Sequence, residues 1–222
     1  GSIRRVSPRQ PHLKAEFALW RTGKRLVVGV DEVGMGPLCG PVVAAAVLVR
    51  PNTRKIKGVR DSKTLSAAQR ERLVEAIKER SLAWGIGAAS VAEIERLNIR
   101  NAAALAMRRA LGRLPPFDHV LIDGQKIRGL EEHIGPYSSI VKGDASSYAI
   151  ACASVLAKVT RDRLMARLAA RYPGYGWGGG YPYSGGWGAT PYYGGTGYAP
   201  SYTYPSTKST TKKPAAPKAE KK

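Results

Sequence analysis

Three observations predict an α/β fold in which helices flank a central mixed sheet. Short Val-rich runs, "LVVGVD" and "VVAAAVLV", have the length and side-chain branching of buried strands. Longer segments such as "SAAQRERLVEAIKER" and "SSYAIACASVLAKVTRDRLMARLAARY" carry the helical period. The two kinds of segment interleave, as they do in an α/β domain. The chain has 222 residues, room for one domain with a real core and a tail.

The elements follow in order. Residues 26–31 and 41–50 read as two strands joined by a glycine turn. Ser66 is the N-cap of a helix that places Leu73 and Ile77 on one side. "LAWGIGAAS" reads as a third strand. "VAEIERLN" and "IRNAAALAMRRALGRL" read as helices, the second turning Ala103, Leu105, Met107 and Leu111 to the core. Pro115-Pro116 ends it. "DHVLID" is a buried strand ending at Asp123, and "SSIVKGD" a short strand ending near Asp144. A long helix follows, with Ser146 or Asp144 as its N-cap. The α/β domain covers roughly residues 15–171.

After Arg171 the composition changes. Residues 172–207 contain no charged residue and no Ile, Leu, Val or Met, but hold nine of the eleven tyrosines and eleven glycines. Such a segment buries little aliphatic surface and loses much backbone entropy on ordering. The expected division is an arm at 1–14, a folded domain at 15–177, and a disordered Gly/Tyr-rich then Lys/Pro/Ala-rich tail at 178–222.

Lys and Arg number 36 and Asp and Glu 16, a net charge of +20. The last 15 residues hold six Lys and one Glu, so +15 remains outside them. A basic excess that is not confined to the tail points to a polyanionic partner. No apolar run reaches the roughly 18 residues that span a membrane, and no secretory signal is visible. Cys39 and Cys152 lie in apolar contexts and read as small core residues in a reducing compartment. His12, His119 and His133 form no zinc-ligand spacing.

Charged residues at strand ends carry the chemistry. Asp31 ends one strand with Glu32 beside it, Asp123 ends another, and Asp144 precedes the long helix. Sites in α/β folds form at strand C-termini. Two carboxylates about 5 Å apart repel by roughly 3 kcal/mol at an effective dielectric of about 20. Four in one pocket therefore call for protons or cations. An all-oxygen set favours Mg²⁺ or Mn²⁺ over zinc, and two such ions side by side suit phosphodiester hydrolysis. Spacing alone leaves open that Asp31 and Glu32 are a turn or capping pair. Asp162 lies 18 residues beyond Asp144, about 27 Å along an unbroken helix, and reads as structural. Lys158 and Arg161 read as surface or helix-anchoring charges.

The motifs "GVDEVGMGPLCGPVVAAAVLV", "DSKTLS", "HVLIDGQKI", "VKGDASS", "ACASVLAKVTRDRLM" and "YPGYGW" resemble bacterial ribonuclease HII, in that family's order, over about residues 15–177. The resemblance implies a ribonuclease H-like fold. It also implies a cytoplasmic, monomeric endoribonuclease that cleaves the RNA strand of RNA–DNA hybrids and nicks duplex DNA 5′ to a lone ribonucleotide. The family's four metal-binding carboxylates map onto Asp31, Glu32, Asp123 and Asp144, with Mg²⁺ or Mn²⁺, two ions per site, as cofactor.

"GMG", Gly34-Met35-Gly36, resembles the family's Gly-Arg-Gly loop, whose backbone reads the ribose 2′-OH. Glycine suits a backbone that must approach a sugar closely, and the 2′-OH both donates and accepts. Met35 stands where the family has arginine, so a cationic contact near the phosphate is lost. Lys63 in "DSK" resembles the family's phosphate-binding lysine. Ungapped counting places the family's sugar-stacking tyrosine at Tyr183, but in the unfamiliar context "GYPYSGG", and the family's C-terminal helical region is replaced. Tail aromatics beside lysines could also stack on bases. Two other functions fit less of this pattern. One is a repair endonuclease of the same fold; the other is a catalytically impaired hybrid-binding protein, suggested by Met35 and the altered C-terminus.

Overall fold

The computed structural model describes residues 10–36 and 40–172. The Gly/Tyr-rich and lysine-rich tail, Tyr183, Cys39 and the "YPGYGW" motif lie outside the described residues.

Helix α1 (Lys14–Arg21) leads into β1 (Val27–Val33) and β2 (Val42–Val49). A 3-10 turn at Ser62–Thr64 precedes α2 (Ala67–Arg80), followed by β3 (Ala83–Ala89), α3 (Val91–Leu97) and α4 (Ile99–Leu111). Then come β4 (His119–Asp123), α5 (Glu131–Ile134), β5 (Tyr137–Ile140), α6 (Gly143–Ser146) and the long α7 (Tyr148–Arg171). The strands form one sheet in the order β3-β2-β1-β4-β5. The β1–β2 and β2–β3 pairs are antiparallel, and the β1–β4 and β4–β5 pairs are parallel. The mixed sheet expected from the sequence is the one observed.

Strand alternation divides the core in two. Val27 of β1 packs with Ala45, Val47 and Val49 of β2 against α7 and α2. Val28 and Val30 pack with Ala44, Ala46 and Leu48 against α4. Small residues let the layers close. A Cβ on Gly29 of β1 would sit 2.1 Å from the Ala149 carbonyl carbon of α7. One on Gly87 of β3 would sit 2.1 Å from the Ala106 carbonyl oxygen of α4. Ser66 and Ser90 form capping boxes with Gln69 and Glu93 and so start α2 and α3.

Four sequence expectations need correction. The long helix is capped by Ser147, whose hydroxyl accepts from the Ile150 N–H, not by Ser146 or Asp144. Residues 143–146 form their own turn, because Ser147 is extended (φ −101°, ψ 129°) and interrupts the helix. Strand β5 ends at Ile140, four residues before Asp144. Leu105 is half-buried, whereas Ala102, Ala106 and Ala110, one turn apart, face the core.

Helix α1 was not expected from the sequence, and its role is specific. Glu16 is fully buried. Its Oε1 accepts from the Ser147 hydroxyl at 2.7 Å and from the Ala149 N–H at 2.9 Å. It thereby satisfies an N–H left open at the start of α7 and places negative charge at the positive end of that helix. The backbone of His12 pairs with Ser146 and Tyr148 on either side of this junction.

Candidate active site

The strand ends deliver the carboxylates. Asp31 lies near the C-terminal end of β1 and Asp123 at that of β4, the adjacent parallel strand. Both belong to the alternating set that faces α7, since their neighbours Val27 and Leu121 pack there. Asp144 comes from the α6 turn just ahead of α7. One carboxylate oxygen from each of Asp31, Asp123 and Asp144 lies within 4.8 Å of the others. That spacing suits a shared hard cation with oxygen ligands.

Glu32 is the next residue on β1, so its Cβ leaves the strand on the opposite side from that of Asp31. It stands outside the close group of three, yet near enough to feel Asp123 electrostatically. Its Oε2 is buried with no hydrogen-bond partner. An unpartnered buried carboxylate oxygen is costly, and a cation at the strand end is the kind of group that would satisfy it. The residues therefore fit a divalent metal centre.

Backbone donors orient the acids. The Gly143 N–H donates to Asp123 Oδ1 at 2.6 Å, and the Glu32 N–H donates to Asp31 Oδ1 at 2.8 Å. Burial and mutual repulsion dominate the protonation. Burial, then the charges of Glu32 and Asp123, pushes Asp31 well above the usual carboxylate range. Burial and then Asp123 raise Glu32 to about 7. Burial, then Asp123 and Asp61, raise Asp144 to about 6. Without a cation, the pocket holds protons that ordinary carboxylates would have lost.

Lys63 is exposed and its charge opposes the rise at both Glu32 and Asp144, which places it beside the carboxylates. It sits in the Ser62–Thr64 turn, capped by the Asp61 carboxylate accepting from the Lys63 N–H. The turn is held to α7 by the Ser62 and Ser154 hydroxyls, 2.9 Å apart and both buried. Ser154 also acts on Asp31, lowering its pKa against the effect of burial. The sequence offered no signal for this pair, because the two serines are 92 residues apart.

The glycine loop leaves the end of β1 directly after the carboxylates. Gly34 has φ +107°, and a Cβ there would sit 2.7 Å from both Arg161 Nε and Pro41 O. Arg161 has no exposed surface and donates from Nε to Pro41 O at 2.9 Å. It anchors the loop rather than the surface of its helix. Among the described residues, a Cβ at Gly36 would meet nothing within 4 Å. Met35 is 39% exposed. Asp162 is held by Lys158 at 2.5 Å and Arg70 at 3.5 Å, a structural role as expected, although the helix assumed to run on from Asp144 is broken at Ser147.

The family profile described as Ribonuclease HII matches residues 28–185 of this chain. The chain belongs to the ribonuclease HII family. The Ribonuclease HII of Thermosynechococcus vestitus is 54% identical over 165 residues, covering 73% of this chain and 75% of that protein. The Ribonuclease HII of Myxococcus xanthus is 51% identical over 166 residues, covering 74% of this chain and 55% of that protein. Among solved structures, the RNase HII in the PCNA:RNase HII complex from Archaeoglobus fulgidus superposes with a TM-score of 0.61 at 30% identity. That match covers 72% of this chain and 83% of the other. The Bst-RNase HIII structure in complex with Mn²⁺ matches with a TM-score of 0.58 at 24% identity, over 77% of this chain and 62% of that one, and shares the fold. The chain is thus a ribonuclease H hydrolase of type HII with a ribonuclease H-like fold. Among the described residues, no helix is long and apolar enough to cross a membrane.

Proposed function

We propose that this ribonuclease HII is a divalent-metal endonuclease with two kinds of substrate. It hydrolyses the RNA strand of RNA–DNA hybrids and nicks duplex DNA on the 5′ side of single embedded ribonucleotides. The observation that carries the reading is the convergence of Asp31, Asp123 and Asp144 within 4.8 Å, with the unpartnered Glu32 Oε2 beside them.

Asp31, Glu32, Asp123 and Asp144 would hold Mg²⁺ or Mn²⁺, two ions per site. Bound there, the ions supply activation of a water and stabilisation of the leaving oxygen. The chain's own groups do the rest. Gly143 and Glu32 N–H groups fix the directions in which Asp123 and Asp31 present their oxygens. Lys63, exposed beside the pocket, pairs with a substrate phosphate. The glycine backbone at Gly36 lets a ribose come close enough for its 2′-OH to be read. Beyond the described residues, Tyr183 is the candidate for stacking on the neighbouring sugar. All four carboxylates come from one chain, which suits a monomer.

Three substrates test the reading: a hybrid, a duplex with one ribonucleotide, and an all-DNA duplex, each with and without Mg²⁺ or Mn²⁺. Metal-dependent cleavage of the first two alone is expected. Cleavage of all-DNA duplex at a comparable rate would point instead to a repair endonuclease. Binding without cleavage would point to an impaired enzyme, a reading that Met35 favours.

A further inference from the structure

We propose that Lys142 is a substrate-phosphate contact, held at the rim of the metal pocket by a backbone conformation that its residue type disfavours. The inference rests on the nucleic-acid reading of the site above.

Among the described residues, three non-glycine residues have positive φ: Asn52 (φ 71°), Asn98 (φ 66°) and Lys142 (φ 56°). Asparagine tolerates this region because its short polar side chain bonds locally. Asn98 does so here, its Oδ1 accepting from the Arg100 and Asn101 N–H groups to start α4. Lys142 has no such compensation. Its backbone is left-handed (φ 56°, ψ 42°) and its side chain makes no cap to α6. Its carbonyl accepts from the Ala145 N–H and the Ser146 hydroxyl, but any residue brings a carbonyl, and glycine would bring it without the Cβ clash. The local fold asks for glycine, and a lysine stands there. Strain of this kind gathers where a side chain is wanted for binding or catalysis.

The position supplies the use. The next N–H, that of Gly143, donates to Asp123 Oδ1 at 2.6 Å. One peptide link separates that nitrogen from the Lys142 Cα, so the Cα lies within about 5 Å of a pocket carboxylate oxygen. Lys142 is nonetheless exposed, and Val141 before it is 69% exposed. An exposed Val-Lys pair projects beside a carboxylate cluster that is partly buried. The Asp61–Thr64 turn carries Lys63 beside the same carboxylates. A phosphodiester bound at the pocket lies within reach of a lysine side chain from this rim, and Val141 can cover a sugar face.

The test uses the full chain with two variants. K142Q keeps a polar, unbranched side chain and the strain but removes the charge. K142G removes the charge and relieves the strain. Hybrid binding is measured without cleavage, with metal chelated, across a series of salt concentrations, alongside thermal unfolding. K142Q is expected to weaken hybrid binding about threefold to tenfold at low salt. It should also flatten the slope of log K against log salt by about one phosphate contact. K142G should weaken binding similarly while melting at the same or a higher temperature. Wild-type affinity and slope for K142Q would overturn the proposal. So would a lower melting temperature for K142G, since the lysine would then be structural. The wild-type cleavage assay separates the two readings: cleavage of hybrid with unchanged K142Q binding removes only the Lys142 assignment. Failure of the wild type to cleave hybrid removes the function beneath it.

Discussion

On the α4 face of the sheet the buried side chains are Val28, Val30, Ala44, Ala46, Leu48, Ala102, Ala106, Met107 and their apolar neighbours. The α7 side also buries Asp31, Ser62, Asp144, Ser147, Ser154 and Arg161, with Glu16 against the start of α7. One face is chosen for packing. The other carries packing and the polar groups that hold the pocket, its glycine loop and its lysine turn. Much of this polar burial is partnered: Glu16 Oε1 by Ser147 and Ala149, Arg161 by Pro41, Asp162 by Lys158 and Arg70. The contrast teaches where activity and stability should separate on mutation.

The largest separation is expected at the pocket. Asp144→Asn or Asp123→Asn removes a ligand charge from the α7 face. Cleavage should fall by several kcal/mol of transition-state stabilisation, roughly a thousandfold or more. Melting temperature should hold or rise, because a repelling charge is lost, and hybrid binding should persist. Near-normal turnover by Asp144→Asn would sink its assignment.

The opposite pattern is expected on the α4 face. Gly87→Ala drives a Cβ to 2.1 Å from the Ala106 carbonyl, so α4 must move. A stability loss of about 1–3 kcal/mol is expected, read by denaturant midpoint, with kcat per folded molecule unchanged. A large kcat loss at full stability would mean that the α4 face tunes the site directly.

The comparison sharpens with pH. Glu32 and Asp144 have folded-state pKa values raised to about 7 and about 6, above the ordinary 4.5 and 3.8. The folded metal-free protein therefore binds more protons than the unfolded chain across that interval. Its stability should fall as pH rises from about 4 to 7. A bound divalent ion removes the repulsion. Adding Mg²⁺ should stabilise the protein at pH 7.5, by up to about 2.7 kcal/mol at a hundred times Kd, and by much less at pH 5, read as the rise in melting temperature. An equal rise at both values would place the metal elsewhere.

The smallest effect is expected in the loop. Met35 is exposed beside Gly36, and Met35→Arg should raise single-ribonucleotide nicking about tenfold through one charge-assisted contact. The measurement is the single-turnover rate with ribonucleotide-containing duplex. An unchanged rate would leave recognition to the loop's backbone alone.

Much of the site was legible in the residues. Asp31 and Asp123 read as strand ends because each closes a Val- or Leu-rich run, and Lys63 stood in a recognisable motif. Glu16, Ser154 and Arg161 were not legible as parts of the site. Glu16 sits in an amphipathic stretch like any surface helix, and its partners lie 131 and 133 residues away. Arg161 carried the right label, an anchoring charge, but for its helix; its real partner, Pro41, is 120 residues distant. The Ser147 break was hidden to within a residue, because the neighbouring Ser146 and Asp144 are equally good N-caps in sequence and the choice is made by contacts to His12 and Glu16.

By itself the sequence determined the fold class, the strand ends that carry acids, and the charge that suits a polyanion. These follow from side-chain period and residue type, which act locally and survive without knowledge of neighbours. Only the tertiary structure decided that three of the acids share one point while Glu32 stands just outside them. It alone decided that the polar groups collect on the α7 side, and that Lys142 is held left-handed at the rim. The reason is physical: hydrogen bonds between residues a hundred positions apart form only once parallel strands and the helices across them are in place, and burial then sets the value of each charge.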